Sequence, residues 1–365
     1  MVTGFMAPPI VQTDTPPDNI CILRLSALGD ATHTVPVVRA LRKAWPDTNI
    51  TWIIGKLEHK LLSRLEGVEF VVFDKKGGRP AVKALRETLS HRRFALLLHM
   101  QVALRANLLS RVVNAPIRLG WDKGRSRDRH TWFTNHRVRA VPFQHQVQGF
   151  LEFPRALGID VDEPTWDLPV SEDDHAWARE HLPAEGRILL ISPCSSHALR
   201  NWSVAGYAAV ADAAIRDHGM TVVLSGGPSE LERNTAAAIE GAMHGEALNL
   251  VGKDTLTQSL AVMERASVLL TPDSGPAHMA SALGTPVVGL HAATWSRRSG
   301  PYRYLHLCVD RYAEAARKYR GKEPEDLRWG HRIEEPGVMD LVEIEDVLEK
   351  LGEALEAPAI TTAPV

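Results

Sequence analysis

Residues 266–291 read Ala-Ser-Val-Leu-Leu-Thr-Pro-Asp-Ser-Gly-Pro-Ala-His-Met-Ala-Ser-Ala-Leu-Gly-Thr-Pro-Val-Val-Gly-Leu-His. Val268–Leu270 is a short apolar run of the kind a buried parallel strand shows. Asp273-Ser274-Gly275-Pro276 gives a turn and a helix start, with Ser274 or Asp273 as the N-cap and Pro276 near the first helical position. Ala277–Leu283 is a helix of small residues, Gly284-Thr285-Pro286 ends it, and Val287–Leu290 is the next strand. The unit is strand, turn, helix, strand. In open α/β sheets, ligands bind beyond the carboxyl ends of strands and against helix N-termini, whose N–H groups suit a phosphate. Taken alone, Asp-Ser-Gly reads better as an ordinary helix cap, and what favours a ligand site is a second stretch far upstream.

Working outward, the same alternation fills the chain. In the first half, strands are expected at 20–26, 50–55, 68–74, 95–99 and 117–121. Helices are expected at about 34–44, 58–65, 80–90, 101–113 and 147–157. In the second half, strands are expected at 188–192, 221–225, 248–251, 268–270, 287–290 and 305–309. Helices there fall at about 204–217, 229–242, 256–265 and 277–283, with a charged helical region over 312–327 and an amphipathic helix over 341–355. Alternating strands and helices predict parallel sheets covered on both faces. Residues 158–186 are acidic and turn-rich and separate the halves. The expected organisation is a disordered tail over 1–18, an N-terminal Rossmann-like domain over 19–165, a linker over 166–186, a second Rossmann-like domain over 187–340, and a C-terminal helix over 341–356.

The 365 residues are 44% hydrophobic and 24% charged, an ordinary globular composition with room for two domains. A formal net charge of -2 excludes a globally basic nucleic-acid binder. Cys21, Cys194 and Cys308 are scattered without CxxC spacing, which argues against a disulfide framework or a zinc site and for a reducing compartment. Residues 1–19 lack the basic start and apolar core of a signal peptide, and no apolar run approaches the ~18 residues of a membrane span.

Four further stretches carry candidate chemistry. Residues 21–36, Cys-Ile-Leu-Arg-Leu-Ser-Ala-Leu-Gly-Asp-Ala-Thr-His-Thr-Val-Pro, read as a strand, a turn tightened by Gly29, and a helix from about Thr32. Asp30 sits in that turn. A carboxylate there suits a general base acting on a hydroxyl, or merely caps the helix. Ser195-Ser196-His197-Ala198-Leu199-Arg200-Asn201-Trp202 follows a strand and places two hydroxyls and a permanent cation where diphosphate oxygens could lie. Ser225-Gly226-Gly227-Pro228 allows close backbone approach, without the dinucleotide fingerprint. Glu230 after it could accept from ribose hydroxyls or serve the helix dipole. Between 111 and 139 eight cations, at 111, 118, 123, 125, 127, 129, 137 and 139, face only Asp122 and Asp128. This is a solvated loop or a surface for an anionic ligand. Asp160-Val161-Asp162 spells a metal-holding Asp-x-Asp, but in a polar linker and not at a strand end.

As a set, the 21–36 stretch, Arg200-Asn201-Trp202 and the 273–278 stretch resemble glycosyltransferase family 9, the ADP-heptose:lipopolysaccharide heptosyltransferases. The matching segments are 20–55, 187–227 and 247–300. The resemblance implies the GT-B architecture, two Rossmann-like domains facing a central cleft. It implies inverting, metal-independent transfer of heptose from ADP-heptose to the anionic Kdo–lipid A inner core of lipopolysaccharide. No cofactor and no nucleic acid are expected. The setting is cytoplasmic, at the inner face of the inner membrane. Asp30 matches the family's proposed catalytic base. Ser195, Ser196, Arg200, Glu230, Asp273, Ser274, Gly275 and His278 would line the donor site. Ser26, Gly29, Arg125, Arg127 and Arg129 would serve the acceptor. Where the family more often has Thr-Thr and Lys, this chain has Ser195, Ser196 and Arg200. The Leu-Ser-Ala-Leu-Gly-Asp form leans towards the first heptosyltransferase of the pathway. The alternatives are another donor or acceptor within the family, or a nucleotide-binding protein without transfer activity.

Overall fold

The computed structural model describes Ile10 and residues 15–356. The tail expected over 1–18 lies mostly outside them. The chain divides into two compact units, one through Pro169 and one from Val170.

The first unit is built on a six-stranded parallel sheet of β1 (Asn19–Leu23), β2 (Asn49–Gly55), β3 (Glu69–Phe73), β4 (Leu96–His99), β5 (Ile117–Gly120) and β6 (His136–Arg137). The order is β3-β2-β1-β4-β5-β6. The chain winds outward from β1 one way, then returns to β4 and winds the other way, so the switch point lies between β1 and β4. Ile20, Cys21, Ile22 and Leu23 are fully buried, as expected of a parallel strand covered on both faces. The two-residue edge strand β6 has no apolar run and was not expected. The helix expected over 101–113 is shorter, Leu104–Ser110.

The second unit repeats the plan with β7 (Ile188–Ile191), β8 (Thr221–Leu224), β9 (Ala247–Asn249), β10 (Val268–Pro272), β11 (Val287–His291) and β12 (Val309–Asp310), in the order β12-β11-β10-β7-β8-β9. Its switch point lies between β7 and β10. The helix Gly275–Leu283 ends on Gly284, whose φ of 88° is the left-handed C-cap that favours glycine. The expected strand at 305–309 is instead a 3-10 segment, Tyr302–Leu307, followed by β12. The helix Ile344–Glu356 belongs to this unit, and just before it Trp202 donates from its indole N–H to the Val342 carbonyl at 3.0 Å.

The stretch expected as a linker, 166–186, is not plain linker. It carries the helix Glu172–His181, started by a capping box in which the Ser171 hydroxyl and the Asp174 carboxylate each bond back across the first turn. Within the second unit, the Thr257 hydroxyl donates to Asp174 at 2.9 Å. All three cysteines are free and buried. No helix among the described residues is long and apolar enough to cross a membrane.

Candidate functional site

The helix after β1 starts at Leu28, four residues before the expected Thr32. Asp30 is therefore the third residue of the helix and not part of a preceding turn. From there its carboxylate reaches back to the Ala27 N–H at 3.3 Å, as a capping carboxylate does. It does more than cap. Oδ2 is ion-paired with Arg24 of the same Leu-Arg-Leu-Ser run, and Oδ1 accepts from Gln146 at the start of the helix Gln146–Ala156. Arg24 is held in turn by the Met100 carbonyl at 2.6 Å and lies over the Phe150 ring. Gln101, just after β4, accepts from the Leu25 N–H at 2.7 Å and donates to the Ser26 hydroxyl at 3.2 Å. Residues beyond β1 and β4 are thus laced together at the first unit's switch point. Gly29 is buried under this turn. Arg24, Gln101 and Gln146 were not singled out from the sequence.

The basic stretch separates into two groups. Arg125 pairs with Asp122, donates to the Arg139 carbonyl at 2.7 Å and to Gln144 at 3.2 Å, and covers the Trp121 ring. Arg118 makes four hydrogen bonds to Phe133, Val113 and Ser110, and Arg139 pairs with Glu152. These cations hold the loop in shape. Arg127 and Arg129 are exposed, Arg129 stacking on Trp132.

In the second unit, the residues after β7 and β10 meet at the switch point. Thr271 on β10 donates to the Ser192 carbonyl at 2.8 Å, joining the two strand tips. Ser195 is buried. Its hydroxyl donates to the His197 carbonyl at 2.9 Å and its own N–H is held by Asn201. Ser195 therefore shapes the loop, while Ser196 is exposed and accepts from Arg200 at 3.2 Å. Arg200 ends a 3-10 turn, Ala198–Arg200, and is buried. Its Nε lies 3.3 Å from Glu334 Oε1, close enough to attract but not aligned for a hydrogen bond, so Nε remains a buried, unspent donor. Burial and then Arg332 lower the guanidinium's pKa, while Asp273 and Glu334 raise it.

Asp273 follows β10. Burial alone would raise its carboxyl, but His291, His278, the Thr294 hydroxyl and Arg200 together hold it below the usual carboxylate range. His278 Nε2 is 4.0 Å from it and Ser299 donates to it at 3.2 Å. Ser274 occupies the N-cap position, yet its hydroxyl turns back to Thr271 at 2.9 Å and caps nothing. Pro276 has no N–H, and the N–H groups of Gly275 and Ala277 in the first turn are left without a side-chain cap, which is the arrangement that receives anions.

Glu230 is exposed at the first position of the helix Glu230–Ala242, the place expected for it. The carboxylate over the glycine turn is that of Glu232, which accepts from the Gly227 N–H at 2.7 Å and from the Ser229 hydroxyl at 2.5 Å. A Cβ on Gly227 would lie 3.1 Å from Glu232 Oε2, a close approach that a side chain here would relieve only by shifting that carboxylate. Asp160 and Asp162 are exposed in a loop, and among the described residues no three His, Cys, Asp or Glu side chains gather as a metal site.

Two doubly wound parallel units, each with ionisable groups gathered at its switch point, make up the GT-B class of fold. A model of glycosyltransferase family 9 (heptosyltransferase) matches residues 82–327. The lipopolysaccharide core heptosyltransferase OpsX of Haemophilus influenzae is 37% identical over 339 residues, 92% of this chain and 97% of its own. This chain belongs to glycosyltransferase family 9, the heptosyltransferases. Among solved structures, the family 9 glycosyl transferase of Veillonella parvula aligns with a TM-score of 0.75 at 22% identity, covering 93% of this chain and 97% of that one. The E. coli heptosyltransferase WaaC with ADP aligns with a TM-score of 0.69 at 18% identity, covering 92% and 99%. At those identities the two structures speak for the fold.

Proposed function

We propose that this protein is an inverting, metal-independent transferase that moves heptose from ADP-heptose to the anionic inner core of lipopolysaccharide. The observation that carries the reading is the second unit's switch point. There a buried Arg200 with an unspent Nε acts electrostatically on Asp273, two residues before the uncapped helix start at Gly275. Both suit a diphosphate that gains charge as it leaves. The name of the 37% identical relative supports the sugar and the acceptor class.

In this mechanism the acceptor hydroxyl donates to the second lone pair of Asp30 Oδ1, which accepts from Gln146 alone, while Arg24 stays on Oδ2. Asp30 takes the hydroxyl proton as the acceptor oxygen bonds to the anomeric carbon. The carbon–oxygen bond to the diphosphate breaks, and ADP departs with its charge met by Arg200, the Ser196 hydroxyl and the N–H groups from Gly275 onward. Arg200 thereby does the work that a divalent cation does in Asp-x-Asp enzymes. Arg127 and Arg129 meet phosphates and carboxylates of the acceptor. Such an acceptor is lipid-linked, which brings the protein to the inner face of the inner membrane.

The test is ADP release from ADP-heptose with and without Kdo–lipid A, in excess EDTA, with the product's anomeric configuration read by NMR. Acceptor-dependent release with inversion supports the proposal. Turnover that stops on chelation and returns with Mg²⁺ overturns the metal-free mechanism. Release with another nucleotide sugar only reassigns the donor.

A further inference from the structure

On the first unit, one surface combines unpaired cations with exposed apolar side chains. The short helix Leu104–Ser110 buries Ala106, Asn107 and Leu109, and turns Leu104 and Leu108 outward, each 51% exposed, with exposed Arg111 next on the same stripe. The loop 128–133 runs beside this helix. Asp128 accepts from the Leu104 N–H at 3.0 Å and, through its carbonyl, from the Asn107 side chain at 2.9 Å. At the other end Arg111 lies over the Phe133 ring. The loop thus brings Trp132, 72% exposed and stacked by Arg129, up to the leucine stripe. A recess of about 330 Å³ opens between Arg111 and Trp132.

The charge around these groups is one-sided. Residues 103–139 hold nine Arg or Lys and two Asp. One of those Asp is spent on Arg125 and the other on the helix start. Exposed Lys123, Arg127 and Arg137 join Arg111 and Arg129 around the apolar centre. Exposed Trp and Leu ringed by cations are the composition of a membrane-interface contact: the indole sits at headgroup level, the leucines enter the acyl boundary, and the cations meet anionic lipid. The place fits as well. Gln101, which holds the Ser26 turn next to Asp30, lies three residues before Leu104.

We propose that this face, centred on Leu104, Leu108 and Trp132, docks the protein on an anionic phospholipid bilayer. The inference rests on the reading of a lipid-linked acceptor, and it assigns to the bilayer the apolar side chains Leu104, Leu108 and Trp132, at whose rim stand Arg127 and Arg129, given above to the acceptor. Charge complementarity selects the anionic bilayer. Three apolar side chains standing outward suit insertion into a lipid boundary.

The experiment is co-sedimentation of the full chain with acceptor-free vesicles, either phosphatidylcholine alone or phosphatidylcholine with 30 mol% phosphatidylglycerol. Binding is expected on the anionic vesicles only. It should fall with salt, because charges beyond about 10 Å are screened at 0.1 M. The triple variant Leu104→Ser, Leu108→Ser, Trp132→Ala should lose binding by on the order of a hundredfold, from removing three buried apolar groups. All three side chains are exposed, so the fold should hold, checked by an unchanged Tm. Turnover of a soluble, deacylated acceptor should stay at the wild-type level. That measurement separates the two readings, since failure of the transferase assignment would silence wild type and variant alike. No binding of wild type to anionic vesicles, or equal binding by the variant, overturns the proposal. Capture of acidic polypeptide in place of vesicles overturns it in favour of a protein partner.

Discussion

Gln146 donates through Nε2 to Asp30 Oδ1 across 116 positions of sequence, while Arg24 holds the other carboxylate oxygen. The base of the proposed reaction is thus fixed from two sides before any acceptor arrives. Asp30→Asn should lower kcat by about 10²–10⁴, the usual contribution of a general base. The ADP dissociation constant, read by calorimetry, should stay within a few-fold, because Asp30 belongs to the first unit and the proposed donor-site residues to the second. Near-normal kcat would reduce Asp30 to a helix cap. Gln146→Ala should act more mildly, by loosening the carboxylate's aim while leaving its chemistry.

Arg200 makes the opposite prediction. Charge-assisted hydrogen bonds to an ionised group contribute about 1.5–3 kcal/mol each. Arg200→Ala should therefore weaken ADP binding by about ten- to a hundredfold. It should leave acceptor KM within a few-fold. Arg200→Lys keeps charge but loses the planar fork and should fall between. ADP affinity unchanged in Arg200→Ala would show that the guanidinium only balances Glu334, its neighbour at 3.3 Å.

Much of this was legible in the sequence because parallel strands are continuous apolar runs. Ile188–Ile191 and Val268–Pro272 are buried throughout, so burial pattern and strand limits coincide. The strand β6, His136–Arg137, was invisible because two polar residues at a sheet edge leave no such signature. Asp273 could be placed because it directly follows β10, and Ser195 and Arg200 because they lie in the loop that opens after β7. Gln146 and Glu334 could not, since they reach the site from far along the chain and follow no strand, whereas Gln101, two residues past β4, carries the same strand-end mark. Glu232 was different. Ser229-x-x-Glu232 is a capping-box spacing, and reading it would have turned attention from Glu230 to the carboxylate that covers the glycine turn.

Two groups predict opposite responses to pH. His130 is fully buried, and burial, aided by Arg137, pushes its pKa down to about 4. The unfolded chain then binds the proton more tightly than the folded one. Stability should be full above about pH 6.5 and fall as pH drops towards 4, by up to about 3 kcal/mol from this residue. Burial pushes Asp254 up to about 6. Its cost is present above pH 6 and is relieved as pH falls towards the unfolded carboxyl value, so stability from this group rises on acidification. Asp254→Asn should raise Tm at pH 7 and not at pH 3.5. His130→Gln should flatten the loss between pH 6.5 and 4. Thermal melts of both variants across pH check the signs. An unchanged slope in His130→Gln would assign the acid loss to other groups.

The basic stretch predicts a split between neighbours. Arg125 is tied to Asp122, Gln144 and the Arg139 carbonyl and covers Trp121. Removing it leaves Asp122, itself buried, without its cation, and such a loss is strongly destabilising. Arg125→Ala should lower Tm by several degrees, and any change in kinetics should follow from that. Arg127 and Arg129 are exposed, and Arg127→Ala with Arg129→Ala should leave Tm within a degree. Their loss should raise KM for an anionic acceptor, most at low ionic strength and little at 0.5 M salt, because exposed charges are screened. ADP affinity should hardly move, since these residues sit in the unit that lacks Arg200 and Asp273. Weakened ADP binding with unchanged acceptor KM would reverse the assignment of donor and acceptor between the two units.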